Sequence, residues 1–409
     1  MAGRRLVNIR RHDIVICGGG LVGASLALAL APLPLDICLL DPAPFAPAPR
    51  ADDRTFTIAQ GSKRALMTLG AWSRLSRADF QPITEIEVSD RSGRFGLAHI
   101  LAEEQGVDAL GYVTGNAALL AALYGALGTT AVTLRQGRFG GLVRDANQAT
   151  ITLADGHETE RIACRLLVGA DGTNSAVRAA CGIGVYGHDY GRCAIVSNCR
   201  VSRPRPHTAF ERFTANGPIA ALPIGDDRYT FVVSRPDGEQ WQALDETDFL
   251  DRLADVFGDR LGRLLAASPR LRFPLMRQQA REWVAPHVVL VGNAAHTLHP
   301  VAGQGFNLGL RDVAVLAERL AQACRAHADY GDRAWLGDYA RARQADVANT
   351  TRFTDGLVRL FAPRQLPLAA ARGLALNLID ALPGLKRALA VRTMGLKAPL
   401  PRLFRELKP

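Results

Sequence analysis

The sequence has no apolar run long enough to cross a membrane without interruption. The strongest candidate runs from Ile14 to Leu30, but prolines follow it closely and four glycines interrupt it: Gly18, Gly19, Gly20 and Gly23. A transmembrane helix needs about 20 mostly apolar residues, and a secretion signal has a charged start and a small-residue cleavage site. We therefore expect a protein of the cytoplasm, or one that lies peripherally on the inner face of a membrane.

Cysteine pairs of the C-x-x-C type are also missing. The seven cysteines stand apart from one another, and several lie in apolar segments: Cys17, Cys38, Cys164, Cys181, Cys193, Cys199 and Cys324. This pattern favours small, reduced, buried side chains over a zinc or redox site.

Basic blocks interleaved with aromatic residues are absent as well, although the net charge is +10. We therefore expect no binding to nucleic acid. The positive charge could attract anionic lipid or the phosphates of NADPH. An ordinary solvated surface in an arginine-rich protein explains the charge equally well.

A chain of 409 residues with 48% hydrophobic content can bury a large core, and its length suggests about two to three domains. We find no internal repeat and no long low-complexity linker. Signals typical of dinucleotide binding occur in three separate places, residues 13–41, 164–178 and 288–312. The spacing predicts one nucleotide-binding domain built from discontinuous segments, with a second domain formed by the residues between them.

The glycine motif Gly18-x-Gly20-x-x-Gly23 joins a predicted strand, residues 13–17, to a predicted helix, residues 21–30. Gly18 permits a tight turn, Gly20 lets the backbone approach a pyrophosphate, and Gly23 lets the helix pack closely on the strand. Asp41 follows the next predicted strand, residues 36–40, where it can accept hydrogen bonds from the adenosine ribose. A glycine turn of purely structural origin is the alternative. The strand, helix and terminal acid together favour dinucleotide binding.

A different pattern follows between residues 205 and 235. Three short strands are predicted at residues 208–214, 219–224 and 229–234, with Gly225-Asp226-Asp227-Arg228 as the hairpin turn between the last two. This indicates an antiparallel sheet outside the nucleotide-binding domain. Beyond about residue 326 the pattern is helical, punctuated by five prolines: Pro363, Pro367, Pro383, Pro399 and Pro401.

Three further segments of the sequence indicate, by resemblance to a known family, which dinucleotide is bound. Leu166-Leu167-Val168-Gly169-Ala170-Asp171-Gly172, followed by Ser175 and Arg178, resembles a strand-to-turn element of flavoprotein aromatic hydroxylases. Val289-Leu290-Val291-Gly292-Asn293-Ala294-Ala295-His296 resembles their ribityl-binding segment, and Pro300-Val301-Ala302-Gly303-Gln304-Gly305-Phe306-Asn307-Leu308-Gly309 resembles their flavin-ring loop. The resemblance covers residues 12 to about 320.

The resemblance implies an α/β fold of the p-hydroxybenzoate hydroxylase-like type. This fold has a Rossmann-like FAD-binding domain made of discontinuous segments, an antiparallel-sheet substrate domain and C-terminal helices. The implied FAD-binding segments are 1–75, 111–190 and 281–325. The implied substrate-domain segments are 76–110 and 191–280, and the C-terminal helical region is 326–409.

The resemblance also implies the residues that hold FAD. Besides the glycine motif and Asp41, these include the second and third motifs: Asp171, Gly172, Gly292, Asn293, Gly303, Gln304, Gly305, Phe306 and Asn307. Glycines 303 and 305 would let the backbone pass a flat ring. A helix over residues 307–320 would point its N-terminal N–H groups at the flavin, where they stabilise the anionic reduced ring. Pro300, Gly305 and Asn307 are the candidate catalytic residues.

Two more residues match family positions. Arg54 matches the arginine that reaches the FAD phosphates, a task suited to its planar fork. A surface ion pair with Asp52 or Asp53 is the alternative. Asn116, before the helix Ala117 to Leu127, falls where relatives place a polar residue near the flavin, but Gly115 stands where they commonly carry an acid.

His296 and His299 have a spacing seen in metal sites. They lie in the flavin segment without a third ligand nearby, so we expect no metal there. No residue in the sequence identifies itself as the base that would ionise a phenol.

Within the family, the sequence is most similar to the hydroxylases of ubiquinone biosynthesis. Most relatives carry Asp at the position of Asn293, and the run from Asn293 to Asn307 resembles the 2-polyprenyl-6-methoxyphenol hydroxylase branch. The resemblance implies reduction of FAD by NAD(P)H, addition of O2 at the flavin C4a carbon and hydroxylation of a prenylated phenol to the 1,4-benzoquinol. Alternatives are another ring position, a flavin-dependent prenyl reductase, or a non-catalytic flavin-holding scaffold.

Other ubiquinone-biosynthesis proteins are candidate partners. Residues 360–403 carry leucines interspersed with arginines, a pattern of a peripheral amphipathic surface. Helices packed on the domain or on a partner subunit are the alternative.

Overall fold

The fold is built around three β-sheets. The computed structural model describes residues 9–46, 54–90, 96–154, 160–214, 216–297, 304–361, 377–378, 380–397 and 399–409. In chain order its strands are β1 Ile9–Cys17, β2 Ile37–Asp41, β3 Thr55–Ala59, β4 Phe80–Ile83, β5 Glu85–Ser89, β6 Leu97–Leu101, β7 Gly111–Gly115, β8 Thr133–Gln136, β9 Phe139–Arg144, β10 Ala149–Leu153, β11 Arg161–Gly169, β12 Val185–Val201, β13 Thr208–Thr214, β14 Gly217–Pro223, β15 Arg228–Arg235, β16 Leu264–Ala267, β17 Leu271–Ala280, β18 Val284–Ala285, β19 Val288–Leu290 and β20 His296–Thr297.

Helices cover the sheets and join them. They are α1 Leu21–Leu30, α2 Gln60–Thr68, α3 Asn116–Leu127, α4 Ala176–Ala180, α5 Gly238–Ala243, α6 Glu246–Phe257, α7 Gln304–Ala326, α8 Arg333–Phe361 and α9 Pro383–Thr393. The predicted helix at residues 21–30 is confirmed, and the one predicted at 117–127 begins one residue earlier.

The first sheet has a parallel centre in the order β19-β11-β1-β2-β8. Its central strands are apolar and buried on both faces, as the run from Ile14 to Cys17 shows, because parallel sheets are covered by helices on both sides. The strands predicted at 13–17 and 36–40 are confirmed. β1 ends at Cys17 as predicted but begins four residues earlier, and β2 begins and ends one residue later than predicted. From β1 the chain continues on one side to β2 and later returns on the other side to β11. The ends of these strands therefore form a switch point, where ligands bind in folds of this type.

The second sheet is mostly antiparallel and contains β12 to β17. All three strands predicted between residues 208 and 234 are confirmed, and the predicted turn joins β14 to β15. One face is apolar and packs against Trp241, Phe249 and Phe257 of α5 and α6, through side chains such as Phe210 and Phe231. Because side chains alternate along a strand, their neighbours project from the opposite face.

A small third sheet has the strand order β3-β7-β4. Its strand β4 falls inside the predicted segment 76–110 but pairs with β7. Likewise β12 begins at Val185, inside the predicted segment 111–190. The predicted domain boundaries themselves stay predictions.

The C-terminal region is helical where it is described, as predicted. Leu403 and Phe404 after α9 are buried in the main core. Within the described ranges, no helix is both long and apolar enough to span a membrane. Part of the predicted amphipathic segment, residues 362–376, 379 and 398, lies outside those ranges.

The cysteines are unpaired thiols, as predicted, and five of the seven are buried. Burial raises the pKa of the Cys38, Cys164 and Cys199 thiols to about 12.

Candidate cofactor site

The glycine turn after β1 has the geometry that its residue types predict. Gly18 has φ +109°, and a Cβ there would lie 2.3 Å from the Ala170 carbonyl oxygen. A Cβ on Gly23 would lie 1.8 Å from the Gly18 carbonyl oxygen, so α1 packs directly on the turn. At Gly20 a Cβ would meet no atom within 4 Å. Gly18 and Gly23 are thus required by the fold itself, whereas Gly20 faces open space beside the N-terminus of α1.

Asp41 lies at the end of β2, next to the same turn. Its Oδ2 accepts a hydrogen bond from the Gly19 N–H at 2.6 Å, and its Oδ1 accepts one from the Ala43 N–H at 2.8 Å. Each carboxylate oxygen can accept a further bond, so a ribose can still be recognised. The structure thus gives Asp41 a second role, since it also holds the glycine turn in place.

The end of β11 supplies the second predicted motif. Asp171 Oδ2 accepts a hydrogen bond from the Val177 N–H at 3.0 Å, at the start of α4. Arg178 is buried and donates to the Ala294 and Thr173 carbonyl oxygens, both at 2.9 Å. Burial lowers the pKa of Arg178, while Asp171 acts in the opposite direction. Arg178 therefore ties the second motif to the third.

Gly292 and Asn293 follow β19 at the same edge of the sheet. The Asn293 side chain is exposed, whereas the Gly292 N–H donates to Asp312 Oδ2 at 2.8 Å. The Asn293 amide is therefore accessible to a cofactor, and the Asp312 carboxylate holds the Gly292 backbone in place.

A buried ionic cluster lies beneath this segment. Asp312 of α7 is fully buried, and His296 Nε2 lies 2.6 Å from its Oδ2. Arg343 of α8 donates from Nε to Asp312 Oδ1 at 2.7 Å and also pairs with Asp346. Burial raises the pKa of Asp312, but the charges of His296 and Arg343 outweigh it and lower that pKa to about 2. His296 therefore positions the ribityl segment.

His296 thus has a carboxylate partner among the described residues. Among the described residues, no group of three or more His, Cys, Asp or Glu side chains could hold a metal ion. His299 lies outside the described residues.

Helix α7 begins at Gln304, three residues earlier than predicted, so Asn307 lies within its first turn rather than at its start. The Asn307 side chain is buried, accepts a hydrogen bond from the Ala59 N–H at 2.9 Å and donates one to the Thr57 carbonyl oxygen at 2.8 Å. The side-chain amide of Asn307 therefore bonds the backbone of β3 in the way that the backbone of an adjacent strand would. The catalytic role predicted for Asn307 stays a prediction, and these bonds show that its side chain holds α7 against β3.

The remaining predicted cofactor-site residues differ in their exposure, and some of them are not described by the structure. Gly305 is partly exposed, and a Cβ there would meet no atom within 4 Å. Phe306 is buried and packs edge-on against Phe56 of β3. Gly172, after β11, has φ +84° and open space at its Cβ position. Pro300 and Gly303 lie outside the described residues, as does the environment of the Gln304 side chain.

Arg54 and Asn116, which were predicted separately to contact FAD, are neighbours in the structure. The Asn116 N–H donates to the Arg54 carbonyl oxygen at 2.9 Å, because β3 and β7 run side by side. The Arg54 side chain is exposed and the Asn116 side chain is buried. Asp52 and Asp53, the alternative partners of Arg54, lie outside the described residues.

Sequence reasoning missed three residues of the site. Tyr124 of α3 donates from its hydroxyl to the Gly19 carbonyl oxygen at 2.8 Å and so braces the glycine turn. Asp312 and Arg343 form the cluster below the ribityl segment. One signal was available, since Asp312 lies four residues from both Leu308 and Leu316 and therefore on an apolar helix face.

These residues fit FAD. The backbone at Gly20 and Gly305 faces open space that a side chain would fill. The Oδ1 atom of Asp171 is buried and has no hydrogen-bond partner in the described part of the chain. The glycine turn would hold the pyrophosphate, Asp41 the ribose, Asn293 the ribityl chain and the start of α7 the flavin ring.

Comparison with known proteins gives the same result. Residues 11–354 match a family model described as an FAD binding domain. The chain is 39% identical over 406 residues to ubiquinone hydroxylase UbiL of Rhodospirillum rubrum, covering 96% of this chain and 92% of that protein. It is 34% identical over 400 residues to 3-demethoxyubiquinol 3-hydroxylase of Escherichia coli, covering 94% and 98%.

A solved structure supports the fold. The p-nitrophenol 4-monooxygenase PnpA from Pseudomonas putida matches with a TM-score of 0.80 at 16% identity, covering 96% of this chain and 100% of that chain. The predicted combination of a Rossmann-like domain with an antiparallel substrate-domain sheet is thereby confirmed.

Proposed function

Since this chain belongs to the family of FAD-dependent hydroxylases of ubiquinone biosynthesis, we propose that it hydroxylates 2-polyprenyl-6-methoxyphenol to the corresponding 1,4-benzoquinol with NAD(P)H and O2. It is an FAD-dependent aromatic hydroxylase. The ring position that is hydroxylated and the identity of the prenylated substrate are what we propose.

The observation that carries the proposal is the meeting of three elements at one sheet edge. The glycine turn, the ribityl segment after β19 and the start of α7 converge there, and β3 links α7 to the antiparallel sheet through Asn307 and a Thr55–Thr230 hydroxyl contact of 3.3 Å. A substrate held against that sheet would therefore lie near the flavin end of the site.

The chain and its cofactor divide the chemistry between them. When bound, FAD supplies the transfer of electrons and the activation of O2. The protein holds the cofactor through the N–H groups of the glycine turn and of α7. The partly buried apolar side chains of the sheet, such as Val88, Ala220 and Val232, exclude water from the ring to be hydroxylated.

One alternative has support of its own. The Escherichia coli relative is named for hydroxylation at position 3 of a demethoxyubiquinol. A second ring position of the same pathway is therefore the competing substrate assignment.

The purified protein is expected to be yellow and to contain FAD. Its NAD(P)H oxidation should rise when a short-chain 2-prenyl-6-methoxyphenol is added, and mass spectrometry should detect the 1,4-benzoquinol. A prenylated demethoxyubiquinol is the comparison substrate. Hydroxylation of that compound alone would reject the proposed ring position, and a colourless protein without FAD would reject the proposal as a whole.

We also propose that α9 and the leucines just before it contact the surface of the membrane. A substrate with a prenyl tail would be held in that membrane. Leu378, Leu382 and Leu385 are 47%, 46% and 51% exposed, and Arg387 is exposed beside them. Apolar side chains flanked by positive charge are typical of interfacial helices.

Replacing these three leucines with serine is expected to reduce co-sedimentation with anionic liposomes by about tenfold, because the apolar contact is lost. FAD content should stay unchanged. Lipid binding equal to that of the wild type would reject the proposal.

A further inference from the structure

Glu211 is a carboxylate on the substrate-domain sheet that the cofactor site does not use. It lies in β13 directly after Phe210, and Phe210 packs into the apolar cluster under α5 and α6. Since side chains alternate along a strand, Glu211 projects from the opposite face. Thr230, which contacts Thr55 of β3, also projects from that face because its neighbours Tyr229 and Phe231 lie in the α5–α6 cluster.

The residues in line with Glu211 across the sheet are small or apolar. Glu211 pairs with Val88 of β5 and Ala220 of β14. Beyond them the row continues to Ala98 of β6 and Val232 of β15. Glu211, Val88, Ala220 and Val232 are all partly exposed. The row therefore forms an apolar surface with one carboxylate at its centre.

This face is connected to the flavin end of the cofactor site. Strand β3 holds Asn307 of α7 through Thr57 and Ala59, and two residues before Thr57 it contacts Thr230 through Thr55. Thr230 pairs with Leu222 of β14, two residues from the Ala220 that pairs with Glu211. Two strand spacings and two residues along the strand separate Glu211 from Thr230, or about 12 Å.

The other charged groups near β13 do not reach Glu211. Glu85 and Glu87 of β5 pair with Arg205 on the opposite face, as Arg260 does with Glu87. Arg212 of β13 also turns to that face, donating to the Val256 carbonyl oxygen of α6. On the Glu211 face, Arg192 of β12 donates to the Asn216 carbonyl oxygen.

On the same face, Arg228 at the start of β15 is exposed and lies four residues along the strand from Val232. The described parts of β5, β6 and β14 add no ionisable side chain there. The α9 helix packs farther along β6 through Ala390 and Met394, and its Lys386 pairs with Asp380 and Glu104.

We propose that the Glu211 carboxylate hydrogen-bonds the hydroxyl of the phenolic substrate and accepts its proton. The O–H bond of the phenol breaks and the carboxyl O–H bond forms, so the ring becomes a phenolate and Glu211 a neutral acid. No electron is gained or lost in this step. The phenolate oxygen pushes electron density into the ortho and para carbons, which prepares them for oxygen transfer. The assignment rests on the proposed function.

The environment of Glu211 suits this step. Burial alone raises the pKa of its carboxyl to about 7, much closer to the value of about 10 for a phenol than an ordinary carboxyl would be. A base whose pKa lies near the working pH is the effective kind in proton transfer. An isolated carboxylate in an apolar row is unfavourable for folding, and such groups concentrate at functional sites.

The test compares Glu211→Gln with Glu239→Gln, the same change at an exposed glutamate of α5 on the other side of the sheet. Glu211→Gln is expected to retain FAD and NAD(P)H oxidation but to form hydroxylated product about 100-fold more slowly. Its rate should also lose the rise with pH through about 7 that ionisation of Glu211 gives the wild type. Wild-type product formation and pH profile in Glu211→Gln would overturn the assignment.

A binding measurement separates this assignment from the proposed function. Flavin difference spectra of the oxidised holoenzyme titrated with 2-prenyl-6-methoxyphenol should show binding that strengthens as the pH rises through about 7 in the wild type and in Glu239→Gln, because the ionised Glu211 carboxylate accepts a hydrogen bond from the phenol. Glu211→Gln should lose this pH dependence. This readout needs no turnover. If the wild type binds the probe with this pH dependence but forms no product, the proposed function fails and the assignment of Glu211 stands. The same pH dependence of binding in Glu211→Gln would overturn the assignment.

Stability distinguishes a substrate-binding role from a structural one. Because the folded-state pKa of Glu211 is raised, its contribution to stability is fully present below about pH 4.5 and is lost as the pH rises through about 7. Glu211→Gln should therefore unfold at pH 8 at a temperature no lower than the wild type. A lower unfolding temperature would indicate a structural role and contradict the assignment.

Discussion

Replacing Gly20 with valine is expected to weaken FAD binding by about 100-fold, or roughly 2.7 kcal/mol, while the unfolding of the apoprotein stays unchanged. A Cβ at Gly20 would meet no protein atom within 4 Å, so the fold tolerates a side chain there. The same side chain would occupy the space in which the pyrophosphate approaches the N-terminus of α1. Fluorescence titration of the apoprotein with FAD measures the affinity, and thermal unfolding without FAD measures stability.

Gly23→Val is the matched control, since it places the same side chain three residues later. A Cβ at Gly23 would lie 1.8 Å from the Gly18 carbonyl oxygen, so this variant should lower the stability of the apoprotein itself. Wild-type FAD affinity in Gly20→Val would show that the cofactor does not pass over this turn. A loss of apoprotein stability in Gly20→Val equal to that in Gly23→Val would contradict the distinction between the two glycines.

The contrast between these glycines shows which parts of the site a sequence can reveal. Gly18, Gly20, Gly23 and Asp41 are predictable because one strand-turn-helix-strand unit of about 30 residues contains them all. Their chemistry depends on local backbone geometry. The three central strands of the antiparallel sheet are predictable for a similar reason, since alternation and a hairpin turn are local patterns.

The side chain of Asn307 shows where such reasoning ends. A family loop places it at the flavin, yet its amide binds the backbone of β3, about 250 residues earlier in the chain. Glu211 likewise could not be identified from the sequence as a candidate base, because its environment forms only when β5 and β14 pair with β13 on its two sides. Pairing over long sequence distances decides these roles, and the residue types alone do not encode it.

Asp312→Asn is expected to lower the free energy of unfolding by about 3 kcal/mol at pH 7, near the lower end of the range for breaking a buried ion pair. The change leaves the Arg343 guanidinium buried without the Asp312 charge that neutralises it. Arg343 keeps its pair with Asp346, which limits the loss. Denaturant unfolding of the FAD-free protein measures the difference. Since the Gly292 N–H donates to Asp312, a looser ribityl segment should also weaken FAD binding.

The pH dependence follows from the lowered pKa of Asp312. Its contribution to stability is present above the unfolded-state pKa of about 4 and is lost as the pH falls through the folded value of about 2. The difference between Asp312→Asn and the wild type should therefore be constant from pH 5 to 8 and shrink below pH 4.

The matched control is Asp338→Asn in α8, whose half-exposed carboxylate pairs with Arg319 and Arg341. Solvent screens that pair, so the change should cost about 0–1 kcal/mol. Equal losses in the two variants would mean that the buried cluster contributes no more than a surface ion pair. The larger loss in Asp312→Asn would instead identify the contact between α7, α8 and the ribityl segment as a main support of the cofactor site.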